Sequence, residues 1–204
     1  FPVYDYRTDI RNLFVTPQIR SRFARYEPGT HTSPHTHDLG YEVFLVLEGR
    51  AVFEVAGDSE ELGPGQMCIV LPDQAHTIRV VGNEPMTMYL SVTPHIQPTH
   101  TAWGEDGQRL PHRFAPSSSY EPGSDAATPF AEVADRLLQV TQAVVEAARG
   151  AVSTEVEMAD TMKSAVASGD HNAASQAKSA TWDALFPLYQ LVAELASVWN
   201  DLAK

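Results

Sequence analysis

Two rhythms of apolar and polar residues divide the chain. Up to about residue 114, short apolar runs at 18–26, 42–47, 51–55, 67–71, 76–81 and 86–92 alternate with turn residues and read as strands. The breaks are Glu48-Gly49, Ala56-Gly57-Asp58, Gly63-Pro64-Gly65, Pro72-Asp73 and Gly82-Asn83-Glu84-Pro85. None is long enough for a helical crossover, so the expected sheet is antiparallel, in a sandwich or barrel. From residue 128 the period changes to three and four. Thr128 reads as an N-cap with Pro129 at the first helical position. Phe130, Val133, Leu137, Val140, Val144, Ala148, Val152, Val156, Ala159, Met162 and Val166 then form one helical stripe. Gly169 closes that helix and Asp170 caps a second, whose stripe is Ala174, Ala177, Thr181, Leu185, Leu188, Val192, Leu195, Trp199 and Leu202. Pro187 predicts a kink in it. Two parses of the first helix stand open: unbroken, or broken at Gly150 ahead of the capping box Thr154-Glu155-Val156-Glu157.

Composition sharpens the boundary. Before residue 126 lie 12 of the 14 prolines and 10 of the 12 glycines, while 19 alanines and all three lysines follow. Turn formers therefore give way to helix formers. The expected organisation is a mainly β domain over 1–114, a linker over 115–127, and a helical hairpin over 128–204.

Charge and cysteine narrow the function classes. A net charge of -12 opposes the cationic surface that nucleic acid or an anionic membrane would need, and no apolar run approaches membrane-spanning length. The single cysteine, Cys68, admits no intrachain disulfide, and a cytoplasmic location is the expectation. The expected partners are a small-molecule substrate and a second copy of the chain.

The chemistry concentrates between Gly29 and Gly49. On a strand, His35 and His37 project from one face, and Glu42 opens the next strand in phase with Phe44 and Val46. Two imidazoles and a carboxylate converging from adjacent strands suit a divalent transition metal. His76 shares parity with Ile78 and Val80, and joins the set if its strand lies beside that of His35.

This spacing resembles the two motifs of the cupin superfamily. Gly29, His35, His37, Glu42 and Gly49 match the first motif without departure. Gly65, Pro72 and His76 match part of the second, with Leu71, Asp73 and Val80 standing where a proline, a glycine and an asparagine are usual. The resemblance covers roughly residues 15–95. It implies an antiparallel jelly-roll barrel, the double-stranded β-helix, holding one metal ion (Fe, Mn, Ni, Cu, Co or Zn) on His35, His37, Glu42 and His76. It does not reach the helical hairpin.

The resemblance also implies a choice of chemistries: dioxygenase, isomerase, decarboxylase or lyase. A single-metal dioxygenase acting on a small aromatic or enolic compound, with Glu42 doubling as general base, is the favoured expectation. A non-catalytic small-molecule sensor is the alternative. His31 has the parity of His35 and is a candidate to lie over the metal, as a hydrogen-bond donor beside it or as an extra ligand. Among Arg20, Arg22 and Arg25, each able to clamp a carboxylate, Arg25 is the expected pocket residue. An unbroken first helix would outreach the barrel, so the hairpin either pairs with that of a second copy as a four-helix bundle or folds over its own barrel.

Overall fold

The computed structural model describes residues 1–104, 106–115, 120 and 128–203. Apart from Ala115 and Tyr120, the expected linker lies outside the described residues. The chain divides into two compact units, Phe1–Ala126 with Ala203–Lys204, and Ala127–Leu202.

Ten strands build the first unit as two five-stranded sheets. One orders β1 (Asn12–Val15), β2 (Arg20–Tyr26), β9 (Met86–Thr93), β4 (Tyr41–Glu48) and β7 (Met67–Val70). The other orders β10 (Thr101–Ala102), β3 (His35–Thr36), β8 (His76–Val80), β5 (Ala51–Val55) and β6 (Asp58–Leu62). Every pairing is antiparallel, as the short breaks require. Period-two alternation sends Glu42, Phe44 and Val46 of β4 and His76, Ile78 and Val80 of β8 inward. Phe44 and Phe53 meet at the centre with ring centroids 5.4 Å apart, against Met86, Met88 and Leu90. Each such side chain contributes about 1.5–3 kcal/mol of burial.

Gly49 shows why the first motif ends in glycine. Its φ is +69°, and a Cβ there would stand 2.3 Å from the Pro85 carbonyl oxygen. Four strands, β1, β3, β6 and β10, have no counterpart among the apolar runs. In β6, Asp-Ser-Glu-Glu-Leu, only Leu62 is buried, because an edge strand has one neighbour to pack on. Ala56 and Gly57, both at positive φ, make the two-residue turn that pairs it with β5.

The second unit is two helices, α1 (Phe130–Ser168) and α2 (His171–Leu202). Of the two parses, α1 is the unbroken one and runs through Gly150. Its N-cap is Pro129, with ψ 136° and no side-chain capping bond, so the capping role expected of Thr128 is not realised. Gly169 closes α1 in the left-handed conformation, and Asp170 Oδ1 accepts N–H bonds from Asn172 and Ala173 at 3.1 and 3.0 Å. α2 continues through the exposed Pro187.

The seam between the helices differs from the expected stripes. The buried positions include Val133, Val140, Ala151 and Ala165 on α1 and Ala174, Ala177 and Val198 on α2, while Val152, Val156, Val166 and Val192 are exposed. The reason is geometric. Val144, Ala148, Val152 and Val156 follow one another by fours, and each four-residue step overshoots a full turn by about 40°. The seam instead alternates threes and fours, the heptad rule of paired helices.

Candidate metal centre

Strand pairing assembles the expected ligands. His35 on β3 sits directly opposite His76 on β8, His37 follows β3, and Glu42 enters from β4 of the facing sheet. One ligand atom from each of His35, His37, Glu42 and His76 lies within 4.8 Å of the others. His37, Glu42 and His76 are buried and His35 is half-buried.

Each imidazole is fixed from behind. His35 Nδ1 donates to the Ser33 carbonyl at 2.9 Å, His76 Nδ1 to the Gln74 carbonyl at 3.1 Å, and His37 Nδ1 to the Thr99 carbonyl. A carbonyl only accepts, so Nδ1 carries a proton in each ring and turns Nε2 inward, the atom that would meet a bound metal. Nε2 of His37 and of His76 stand 2.8 and 3.0 Å from the same Glu42 oxygen, Oε2. Metal–ligand bonds of about 2.1 Å put adjacent ligands of an octahedron about 3 Å apart, so the spacing fits a shared ion.

The electrostatics agree with that fit. Burial alone would raise Glu42, but the hydrogen bonds and charges of His37 and His76 outweigh it and hold the carboxyl well below the usual range. Burial pushes His35 down to about 4 despite the Ser33 hydrogen bond. An ionised carboxylate beside an unprotonated imidazole is the form a divalent transition metal takes up.

Residues 22–93 match the family model of the cupin domain. The barrel is a cupin domain. Solved structures are similar to part of the chain at low identity. A Klebsiella pneumoniae protein with a double-stranded β-helix domain is 22% identical over 45% of this chain and 89% of its own, with a TM-score of 0.43. The cupin domain of Schizosaccharomyces pombe Cnp3 is 17% identical over 41% of this chain and 61% of its own, TM-score 0.40. Salicylate 1,2-dioxygenase from Pseudoaminobacter salicylatoxidans is 23% identical over 38% of this chain and 20% of its own, TM-score 0.35. No curated protein matches the sequence.

Other candidates fall elsewhere in the cupin barrel. His31 is exposed and bridges to Arg79 on the outward parity of β8. Four residues separate His31 from His35 but three separate Arg79 from His76, and this offset cancels the shared parity expected of His31. Arg25 is also exposed, 3.8 Å from Glu27. The buried arginine among the described residues is Arg20 instead.

His100 is the site neighbour that the strand pattern did not disclose. Its ring centroid lies 4.9 Å from that of His35 and 4.8 Å from that of His37. The segment after β9 returns as β10, pairing Thr101 with Thr36 and Ala102 with His35, while Trp103 Nε1 donates to Thr36 Oγ1 at 3.2 Å. His100 also borders a cavity of about 310 Å³, with Thr99, Pro111, Phe114 and Tyr120 among its walls. Clustered histidines in Pro94-His95-Ile-Gln-Pro98-Thr-His100 were the available signal.

Proposed function

We propose that the protein is a mononuclear metal-dependent oxidoreductase of the dioxygenase type, acting on a small enolic or aromatic compound. The observation that carries this reading is the set of three imidazoles and one carboxylate, buried but for the half-buried His35, with all four ligand atoms within 4.8 Å of one another. Four protein ligands leave coordination positions open. A bound divalent metal would supply Lewis-acid polarisation of a substrate oxygen and a site for dioxygen.

The chain's own residues do the remaining work. The carbonyls of Ser33, Gln74 and Thr99 hold three imidazoles in one orientation, so the site is set before substrate arrives. Phe44, whose ring centroid is 6.0 Å from that of His76, closes the floor to water. Glu42 is a ligand first, because Oε2 is engaged by two imidazoles; Oε1 is the atom left to take a substrate hydroxyl proton.

The test is metal analysis of the purified chain, then oxygen uptake with enediols, catechols and β-diketones. Uptake by the metal-loaded protein that disappears in His35→Ala supports the reading. Tight ligand binding without turnover across all three classes sinks it and leaves a sensor.

We further infer that two copies associate through their helices. One residue past the seam, about 100° around each helix, runs a second apolar stripe. On α1 it holds Leu138, Val145, Val152 and Val166 at multiples of seven residues, and on α2 Trp182, Leu185, Tyr189 and Val192. The local twofold axis of an antiparallel pair turns both stripes to the same side. Trp182 gathers Phe186 and Tyr189 at 5.8 and 6.0 Å between centroids, and all three are exposed. At about 1.5 Å per residue, the 39 residues of α1 carry this face along roughly 58 Å. A second hairpin, apolar on the same face, covers it as a four-helix bundle.

A further inference from the structure

Glu42 and Arg20 are the buried carboxylate and the buried guanidinium among the described residues. They are not paired with each other. Glu42 is engaged by His37 and His76, whereas Arg20 Nε is buried without a hydrogen-bond acceptor. The Arg20 guanidinium instead rests over the Tyr120 ring, 5.0 Å from its centroid.

Strand register places this cation on the same inner face of the sheet as Glu42. Arg20 and Glu42 both sit opposite Val92, on the two flanks of β9. Residues directly opposite in antiparallel neighbours share a face, so Arg20 projects into the barrel at the level of Glu42, about 10 Å away from backbone to backbone. Two residues on, Arg22 repeats the arrangement beside Leu90 and Phe44, and its Nε is also buried without an acceptor.

Burying a guanidinium without a carboxylate is costly, and an apolar residue of similar length would serve a core better. A divalent ion on the three histidines and Glu42 would leave this end of the barrel with a surplus of positive charge. The missing component is an anion of the size of a carboxylate, which a guanidinium fork binds through two parallel hydrogen bonds.

We propose that Arg20, supported by Arg22, is the subsite for the substrate's carboxylate, and that the substrate is a small carboxylic acid whose hydroxyl or enol oxygen faces the metal. The carboxylate anchor stands on the strand register alone; the placement of the second oxygen rests on the metal-centre reading above.

The experiment measures binding of acetate, lactate and benzoate against their neutral amides by calorimetry, on the full chain with cobalt(II) and without metal. Wild type is expected to prefer at least one acid over its amide roughly tenfold or more. Arg20→Met is expected to bring that ratio to about one, with cobalt affinity unchanged and a thermal midpoint at or above that of wild type. Arg20→Lys, which keeps the charge and loses the fork, retains part of the preference and covers the case in which Arg20→Met does not fold. Equal binding of every acid and its amide by wild type overturns the proposal, as does a preference that survives in Arg20→Met. Failure to bind cobalt would remove the metal-centre reading, while the acid-to-amide ratio of the metal-free chain still decides the role of Arg20.

Discussion

The cupin barrel packs Phe44, Phe53, Met86, Met88 and Leu90 into its interior, whereas the helical hairpin packs Val133, Val140, Ala151, Ala165, Ala174, Ala177 and Val198. The barrel thus fills its centre with large apolar side chains, though Phe14, Leu39, Met67, Ile69 and Leu71 stand exposed on it, as Leu138, Trp182, Phe186 and Tyr189 do on the helices. Two sheets facing each other leave a wide gap that large residues fill. The two-helix seam is narrow and closes on small residues, with Leu137, Leu195 and Leu202 half-buried against it. Side-chain size is the difference: the barrel encloses a core of large residues, and the hairpin a seam mostly of small ones.

The sharpest way to break this comparison is to empty each core. Phe44→Ala should cost about 3–5 kcal/mol, as a large cavity between packed sheets does. Val198→Ala, 1% exposed in the seam, should cost no more than about 2 kcal/mol, since two methyl groups are lost. Denaturant titration checks both, with helix ellipticity reporting the hairpin and metal binding the barrel. Equal costs would mean that the seam is packed as tightly as the sheets.

A smaller effect on stability, but a large one on assembly, is expected from the exposed face. Replacing Leu138 and Val152 by Glu adds charge to the second stripe and leaves the intramolecular seam untouched. The mass in solution should fall from dimer to monomer, with the barrel's metal affinity unaltered. A double variant that keeps the parent's mass would place self-association elsewhere, and the hairpin's apolar face would then be left uncovered.

The same contrast explains what could be read from residue order. Gly29, His35, His37, Glu42 and Gly49 are close in sequence, and the period of two sorts them onto faces without knowledge of distant partners. His76 required only that its strand lie beside that of His35, which the register supplies. Arg20 was harder, because Arg-Ser-Arg-Phe-Ala-Arg-Tyr in β2 has apolar residues on both parities, and only pairing with β9 decides which arginine enters the barrel. His100 depends on β10, two residues long and without alternation of its own. On the helices the difficulty was the reverse. Apolar residues fill two stripes about 100° apart, so steps of three and four can pass from one stripe to the other.

Gly150 offers the finest adjustment of the comparison. It lies in the middle of α1, exposed, and a Cβ added there meets no atom within 4 Å. Nothing in packing opposes alanine, and glycine costs a helix interior about 1 kcal/mol through the backbone freedom it loses. The rival parse needs Thr154 as an N-cap. Its Oγ1 instead donates to the Gly150 carbonyl at 3.3 Å, the bond back to residue i−4 that a hydroxyl makes within a continuous helix. Gly150→Ala should therefore raise the stability of the hairpin by about 0.5–1 kcal/mol, read as a higher midpoint in helix ellipticity, and leave the barrel's metal binding unchanged. A lower midpoint or a loss of ellipticity would instead mark Gly150 as a bend in solution, dividing α1 into two helices with Thr154 capping the second.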